Sequence, residues 1–118
     1  MRVFVADDSA PVRERILSML EGIPGVQVVG HAEDSIAARL LITALQPDVV
    51  ILDINMPGGS GIEVLHEIKR QTPSPTVIML TNYSQPQYRA RCLEEGADYF
   101  FDKSSEFEKI RGVLAPAK

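Results

Sequence analysis

Three carboxylates hold the most chemistry in this sequence: the adjacent pair Asp7-Asp8, and Asp53. A carboxylate can attack a phosphoryl group as a nucleophile and form an acyl phosphate. Crowded carboxylates repel one another and invite a hard divalent cation, Mg²⁺ or Mn²⁺ in its place, which also takes waters and substrate phosphate oxygens. A phosphoryl group in transfer spreads its charge over three equatorial oxygens that need fixed partners. The Thr81 hydroxyl and the Lys103 ammonium are groups of the required kind. Together they make a phosphoryl-transfer site only if the fold gathers them.

The elements that must do so alternate. Residues 1–6 read as a strand that stops at Asp7-Asp8. Pro11 suits the first turn of a helix with Val12, Ile16, Leu17 and Leu20 inward, ended by Gly22, Pro24 and Gly25. Residues 26–29 form a second strand, and Asp34 or Ser35 caps a second helix expected to bury Ile36, Ala37, Leu40, Leu41, Ala44 and Leu45. The unbroken apolar run 49–52 is what a strand covered on both faces shows. After the loop Met56-Pro57-Gly58-Gly59-Ser60-Gly61, a third helix carries Ile62, Leu65 and Ile68. Residues 76–80 are a fourth strand ending at Thr81. Pro86 opens a fourth helix with Tyr88, Cys92 and Leu93, which Gly96 closes. Residues 99–101 are a fifth strand, and Phe107, Ile110 and Leu114 lie on a short last helix.

Strand followed by helix, repeated along the chain, predicts a doubly wound α/β domain with a parallel sheet and helices on both faces. Ligands of such sheets bind beyond the carboxyl ends of the strands, where strand order reverses. In the order 2-1-3-4-5 the first and third strands are neighbours there. Asp7-Asp8, Asp53, Thr81 and Lys103 then converge on one edge. Singly, each has a plainer use: the aspartates and Thr81 as helix caps, Lys103 as surface charge. Their coincidence at strand ends, in types that match one reaction, favours the site.

The composition agrees with a single domain over 1–114 and a tail or linker start at 115–118: of 118 residues, 45% are hydrophobic and 24% charged. Twelve basic against 16 acidic residues give a net charge of −4, which argues against direct nucleic-acid binding. The single cysteine, Cys92, cannot form an internal disulfide and is expected in the core. His31 and His66 are isolated in sequence and are not expected to bind metal. No apolar run is long enough to span a membrane, and Asp7-Asp8 interrupts the start of the chain before a signal peptide could form, so a cytoplasmic location is expected.

With Asp7-Asp8, Asp53-Ile54-Asn55-Met56-Pro57 and Gly61, Thr81, Gly96-Ala97-Asp98 and Lys103 in this order, essentially the whole chain resembles the CheY-like receiver domain of two-component response regulators. The resemblance implies a flavodoxin-like (βα)5 fold and a Mg²⁺-dependent phosphoacceptor at Asp53. It implies that Asp8 and Asp53 ligate the metal, Asp7 acts largely through water, and the Asn55 backbone carbonyl completes the protein ligands. Thr81 and Lys103 would bind the phosphoryl group, Thr81 and Phe100 would act as the switch, and Asn55 and Tyr83 would tune its lifetime. The implied donor is a sensor histidine kinase or phosphotransfer protein. The implied output face is the fourth helix, fifth strand and fifth helix, around Gln87, Arg91, Glu95, Phe100 and Glu106. The chain is expected to signal as a stand-alone receiver, or as the receiver piece of a longer regulator, with the former favoured.

Four departures from the family pattern bear on these expectations. Ser104 follows Lys103 where many receivers have a cis proline, position 100 is Phe rather than Tyr, Asn82 replaces a smaller residue, and the loop beyond Asp53 is rich in glycine. None removes a chemical group. A Mg²⁺-dependent phosphohydrolase is the enzymatic rival, but such enzymes place an acid two residues beyond the nucleophile, and Asn55 cannot shuttle a proton. A pseudo-receiver would have lost an acidic residue or the lysine. A nucleotide- or flavin-binding protein would have a glycine-rich first turn in place of Asp7-Asp8-Ser9.

Overall fold

The computed structural model describes residues 1–115, so Pro116, Ala117 and Lys118 of the expected tail lie outside the described residues. Its strands are β1 (Arg2–Ala6), β2 (Gln27–Ala32), β3 (Val49–Leu52), the two-residue β4 (Asn55–Met56) and β5 (Gly59–Ser60), β6 (Thr76–Thr81) and β7 (Tyr99–Asp102). The helices are α1 (Ala10–Glu21), α2 (Ser35–Leu45), α3 (Gly61–Lys69), α4 (Pro86–Glu94) and α5 (Lys109–Leu114). The main sheet is parallel with order β2-β1-β3-β6-β7. Setting aside the small β4–β5 hairpin, that is the expected 2-1-3-4-5.

Side chains leave successive strand residues on opposite faces, and two apolar layers result. Phe4, Ala6, Val50, Leu52, Val77 and Met79 face α2, α3 and α4, meeting Ala38, Ile42, Val64, Leu65, Ile68 and Cys92. Val3, Val5, Val49, Ile51, Ile78 and Leu80 face the other way, onto Ile16, Met19 and Leu20 of α1 and Ile110 and Leu114 of α5. Full burial of one such side chain is worth about 1.5–3 kcal/mol, so these layers hold the sheet rigid under the site.

Caps fix where the helices begin. Ser9 Oγ accepts from Val12 N at 3.4 Å, Asp34 Oδ1 from Ala37 N at 2.8 Å, and Ser60 Oγ from Ile62 N at 3.1 Å. Asp7, Asp8 and Thr81 therefore cap none of these helices, and α4 starts at Pro86 after Gln85, whose side chain makes no capping bond.

The buried stripe of α2 differs from the expectation. Ile36 and Leu40 are 59% and 69% exposed, Leu41 and Ala44 also face outward, and Ser35, Ala38 and Ile42 are buried. Apolar residues occur all round this helix, so periodicity cannot set its phase. Ser35 does: its N–H and hydroxyl both donate to Pro57 O, at 2.9 and 3.2 Å. β2 also runs further than expected, to Ala32, because β1 pairs with it along its whole length.

Candidate functional site

The β1–β3 pairing brings the acidic groups together. Asp53 N donates to Ala6 O at 3.1 Å and Asp7 N donates to Ala32 O at 3.0 Å, so both residues sit one step beyond their strands. Asp7 and Asp53 are buried and Asp8 is exposed. A carboxylate oxygen from each of Asp7, Asp8 and Asp53 lies within 4.8 Å of the others. Three hard oxygen donors at that spacing fit a divalent metal ion.

Lys103 completes the cluster. Its N–H donates to Thr81 O at 2.9 Å, which sets the residue beyond β7, and its Nζ lies 2.7 Å from Asp7 Oδ2 and 2.9 Å from Asp53 Oδ2. Burial pulls the ammonium down, but its hydrogen bonds to Asp7 and Asp53 outweigh this and hold its pKa above the ordinary lysine value. Asp53 behaves oppositely. Burial pushes its carboxyl up, Lys103 pulls it back, the Asp7 charge pushes again and the Thr81 hydroxyl helps the ionised form, leaving a net rise.

The loop that carries Asp53 is shaped by glycine. A Cβ on Gly61 would lie 1.8 Å from the Asp53 carbonyl oxygen, and Gly61 N donates to Ile54 O at 2.6 Å. Gly58 and Gly59 take φ of +87° and +137° to close the β4–β5 hairpin against Ser35 and Ile36. The glycine-rich stretch thus makes a defined turn.

The mouth of the site is framed by Asp8, Ser9, Asn55, Asn82 and Tyr83. Asn55 Nδ2 donates to the Tyr83 hydroxyl at 3.4 Å, and Tyr83 N donates to Thr81 Oγ1 at 3.0 Å. The Lys103–Ser104 peptide is trans. Ser104 and Ser105 donate their amides to Asp102 Oδ1 at 2.7 and 3.1 Å, a turn that supplies the shape without proline. The Ser84 hydroxyl, then these amides, hold the Asp102 carboxyl below its ordinary value.

Phe100 stands apart from this edge. Its ring is buried in the layer under α2, α3 and α4, with the Arg89 guanidinium 5.6 Å from the ring centroid. It lies beneath the expected output face and exposes almost none of its own surface there. Glu95 and Glu106 of that face already pair with His66 and Lys109. His66 is half-exposed at this surface, as expected, and contacts Glu95 there. Burial pushes the Cys92 thiol up to about 11, in keeping with its expected place in the core.

Sequence reasoning overlooked Arg13. Its Nη1 donates to Asp7 O at 2.8 Å and its Nη2 lies 3.9 Å from Glu33 Oε2. The signal available was a cation one helical turn past the Ser9 cap, where a side chain can reach back to the end of β1.

Residues 3–115 match the model of the response regulator receiver domain. The chain is 45% identical over 116 residues to protein-glutamate methylesterase/protein-glutamine glutaminase 1 of Caulobacter vibrioides, covering 98% of this chain and 34% of that protein. It is 34% identical to response regulator GacA of Pseudomonas aeruginosa, covering 98% of this chain and 56% of that one. Its structure superimposes on the response regulator domain of Thermotoga maritima CheB with a TM-score of 0.84, at 33% identity and over 97% and 90% of the two chains.

The chain belongs to the response regulator receiver domain family. It spans about a third or less of the methylesterase relatives. It is a receiver of two-component signalling, with the five-stranded parallel architecture of that fold. Among the described residues no helix is long and apolar enough to cross a membrane.

Proposed function

We propose that Asp53 is the phosphoacceptor, and that its phosphorylation switches the partner-binding state of the domain. The observation that carries this is the Lys103 ammonium shared between Asp53 and Asp7 beside exposed Asp8. Lys103 holds Oδ2 of Asp53, so Oδ1 is assigned as the attacking oxygen. Oδ1 forms a bond to phosphorus, the P–N bond of a phosphohistidine donor breaks, and its electron pair stays on the imidazole nitrogen. The donor is a sensor histidine kinase or a phosphotransfer protein.

Asp8, Asp53 and the Asn55 carbonyl, with Asp7 through water, would hold Mg²⁺ or Mn²⁺, and the bound ion would offset charge on the phosphoryl oxygens. Lys103 then exchanges carboxylate contacts for a phosphoryl oxygen. Thr81 turns its hydroxyl from the Tyr83 N–H toward the same group. Phe100 is already buried, so this movement needs no ring to travel in from solvent. Asn55 and Tyr83 cover the mouth and set how fast water reaches the acyl phosphate.

The new charge biases a two-state element, and exposed Gln87 and Arg91 on α4 with half-buried Glu95 and Glu106 form the surface that reports it. Residues 1–114 act as the switching unit, controlling a partner or an output domain and turning over no external substrate. Beryllium fluoride with Mg²⁺ tests the reading by NMR. Amide resonances from 53–61 and 81–84 should shift together, and an unchanged spectrum would point to a docking module that takes no phosphoryl group.

A further inference from the structure

We infer that Arg13 is a positioning residue for the metal-binding acidic pair, acting through the Asp7 backbone and contacting neither metal nor phosphoryl group. This rests on the metal-dependent reading of Asp7, Asp8 and Asp53 given above.

Asp7 lies just past the last residue of β1, where ladder pairing stops. Its amide still finds Ala32 O, at 3.0 Å, and its carboxylate is taken on both oxygens, Oδ1 by Ser9 N at 2.8 Å and Oδ2 by Lys103 Nζ at 2.7 Å. Its carbonyl has no further strand to pair with. Arg13 Nη1 supplies the donor at 2.8 Å. The Arg13 side chain is only 13% exposed, and Asp7 is 1% exposed, so solvent is a poor substitute. The same residue is tied into the turn from the other side, because Arg13 N donates to Ser9 O at 2.8 Å. Through its other nitrogen it reaches Glu33, beyond the end of β2. One side chain therefore locks the peptide between Asp7 and Asp8, which sets where both carboxylates point.

Two effects of Arg13 on a cation oppose each other. Its guanidinium repels a divalent ion, and its hydrogen bond holds the ligands that receive one. The geometry favours the second, because the guanidinium charge is partly answered by Glu33 while the Asp7 carbonyl has Arg13 as its donor. Partners that hold a metal's ligands in place typically contribute 10–100-fold in affinity.

The test is calorimetric titration of the full chain with MgCl₂ at fixed ionic strength, for wild type, Arg13→Met and Arg13→Lys, with circular dichroism in EDTA beside it. Arg13→Met should raise the Kd about tenfold with unchanged helix content. Arg13→Lys keeps a donor of similar reach and should stay within about threefold of wild type. An unchanged or lower Kd for Arg13→Met overturns the inference, since charge repulsion would then outweigh positioning. Should that variant fail to fold, Arg13→Gln, whose amide is too short to reach the Asp7 carbonyl, is expected to show the same rise, and an unchanged Kd there overturns the inference too. If wild type itself takes no Mg²⁺, the metal-dependent reading of the acidic group falls first, and the role of Arg13 with it.

Discussion

Lys103 Nζ donates to Oδ2 of Asp53 at 2.9 Å, across fifty residues of sequence, from a position almost closed to solvent. The same ammonium serves Asp7 at 2.7 Å. One cation thus answers two buried carboxylates, and burial first, with the Asp7 charge adding to it, keeps the Asp53 carboxyl above its ordinary value despite Lys103. Burying the Asp53 carboxylate beside Asp7 costs stability that the single Lys103 ammonium offsets only in part.

Asp53→Asn should therefore stabilise the metal-free protein at pH 7, by about 1 kcal/mol, or roughly 4 °C in Tm. The pH dependence follows from the direction of the shift. A raised carboxyl favours the folded state below its ordinary value of 3.8, and loses that contribution as pH rises through the folded value. The advantage of the Asn variant should shrink as pH falls toward 4. Mg²⁺ should erase it at pH 7 by stabilising wild type alone. Thermal melts of both proteins across pH, with EDTA or MgCl₂, check all three.

Gly61→Ala should be among the most damaging single methyl additions. Its Cβ would stand 1.8 Å from backbone that cannot swing aside, the Asp53 carbonyl. A loss of about 3 kcal/mol is expected by chemical denaturation, together with weaker phosphorylation, because the strand end bearing Asp53 must move. A variant as stable as wild type would contradict the packing described for this loop.

Tyr83→Ala removes the hydroxyl that accepts from Asn55 and uncovers the mouth of the site. The acyl phosphate should decay faster by about fivefold, the effect of ~1 kcal/mol on a barrier. Intact mass followed over time after donor removal gives the rate. An unchanged rate would make Tyr83 mere surface cover.

The phase of α2 is open to a direct comparison. Ile42→Ala should cost about 2–4 kcal/mol, as large-to-small changes in a packed layer do, and Leu40→Ser should stay within about 0.5 kcal/mol. The reverse ranking would restore the stripe expected from the sequence.

That stripe shows where sequence reasoning stops. Strand ends were legible because a parallel sheet covered on both faces reads as apolar runs, and Asp7, Asp53 and Thr81 interrupt those runs sharply. Lys103 was found by its chemical type just beyond the fifth run. The α2 face was not legible because apolar residues surround the helix and a serine hydroxyl settles its rotation from another loop. The burial of Phe100, the His66–Glu95 pair and the Arg13 contact depend on packing between elements far apart in sequence, which no local pattern encodes.

The central claim is that Asp53 accepts a phosphoryl group with help from a divalent metal. Its most direct test is intact mass after incubation with acetyl phosphate and Mg²⁺, beside Asp53→Asn and a chelated control. One added phosphoryl group on wild type, absent in both controls, is the predicted result. An adduct of equal yield on Asp53→Asn, or one indifferent to chelation, would contradict it.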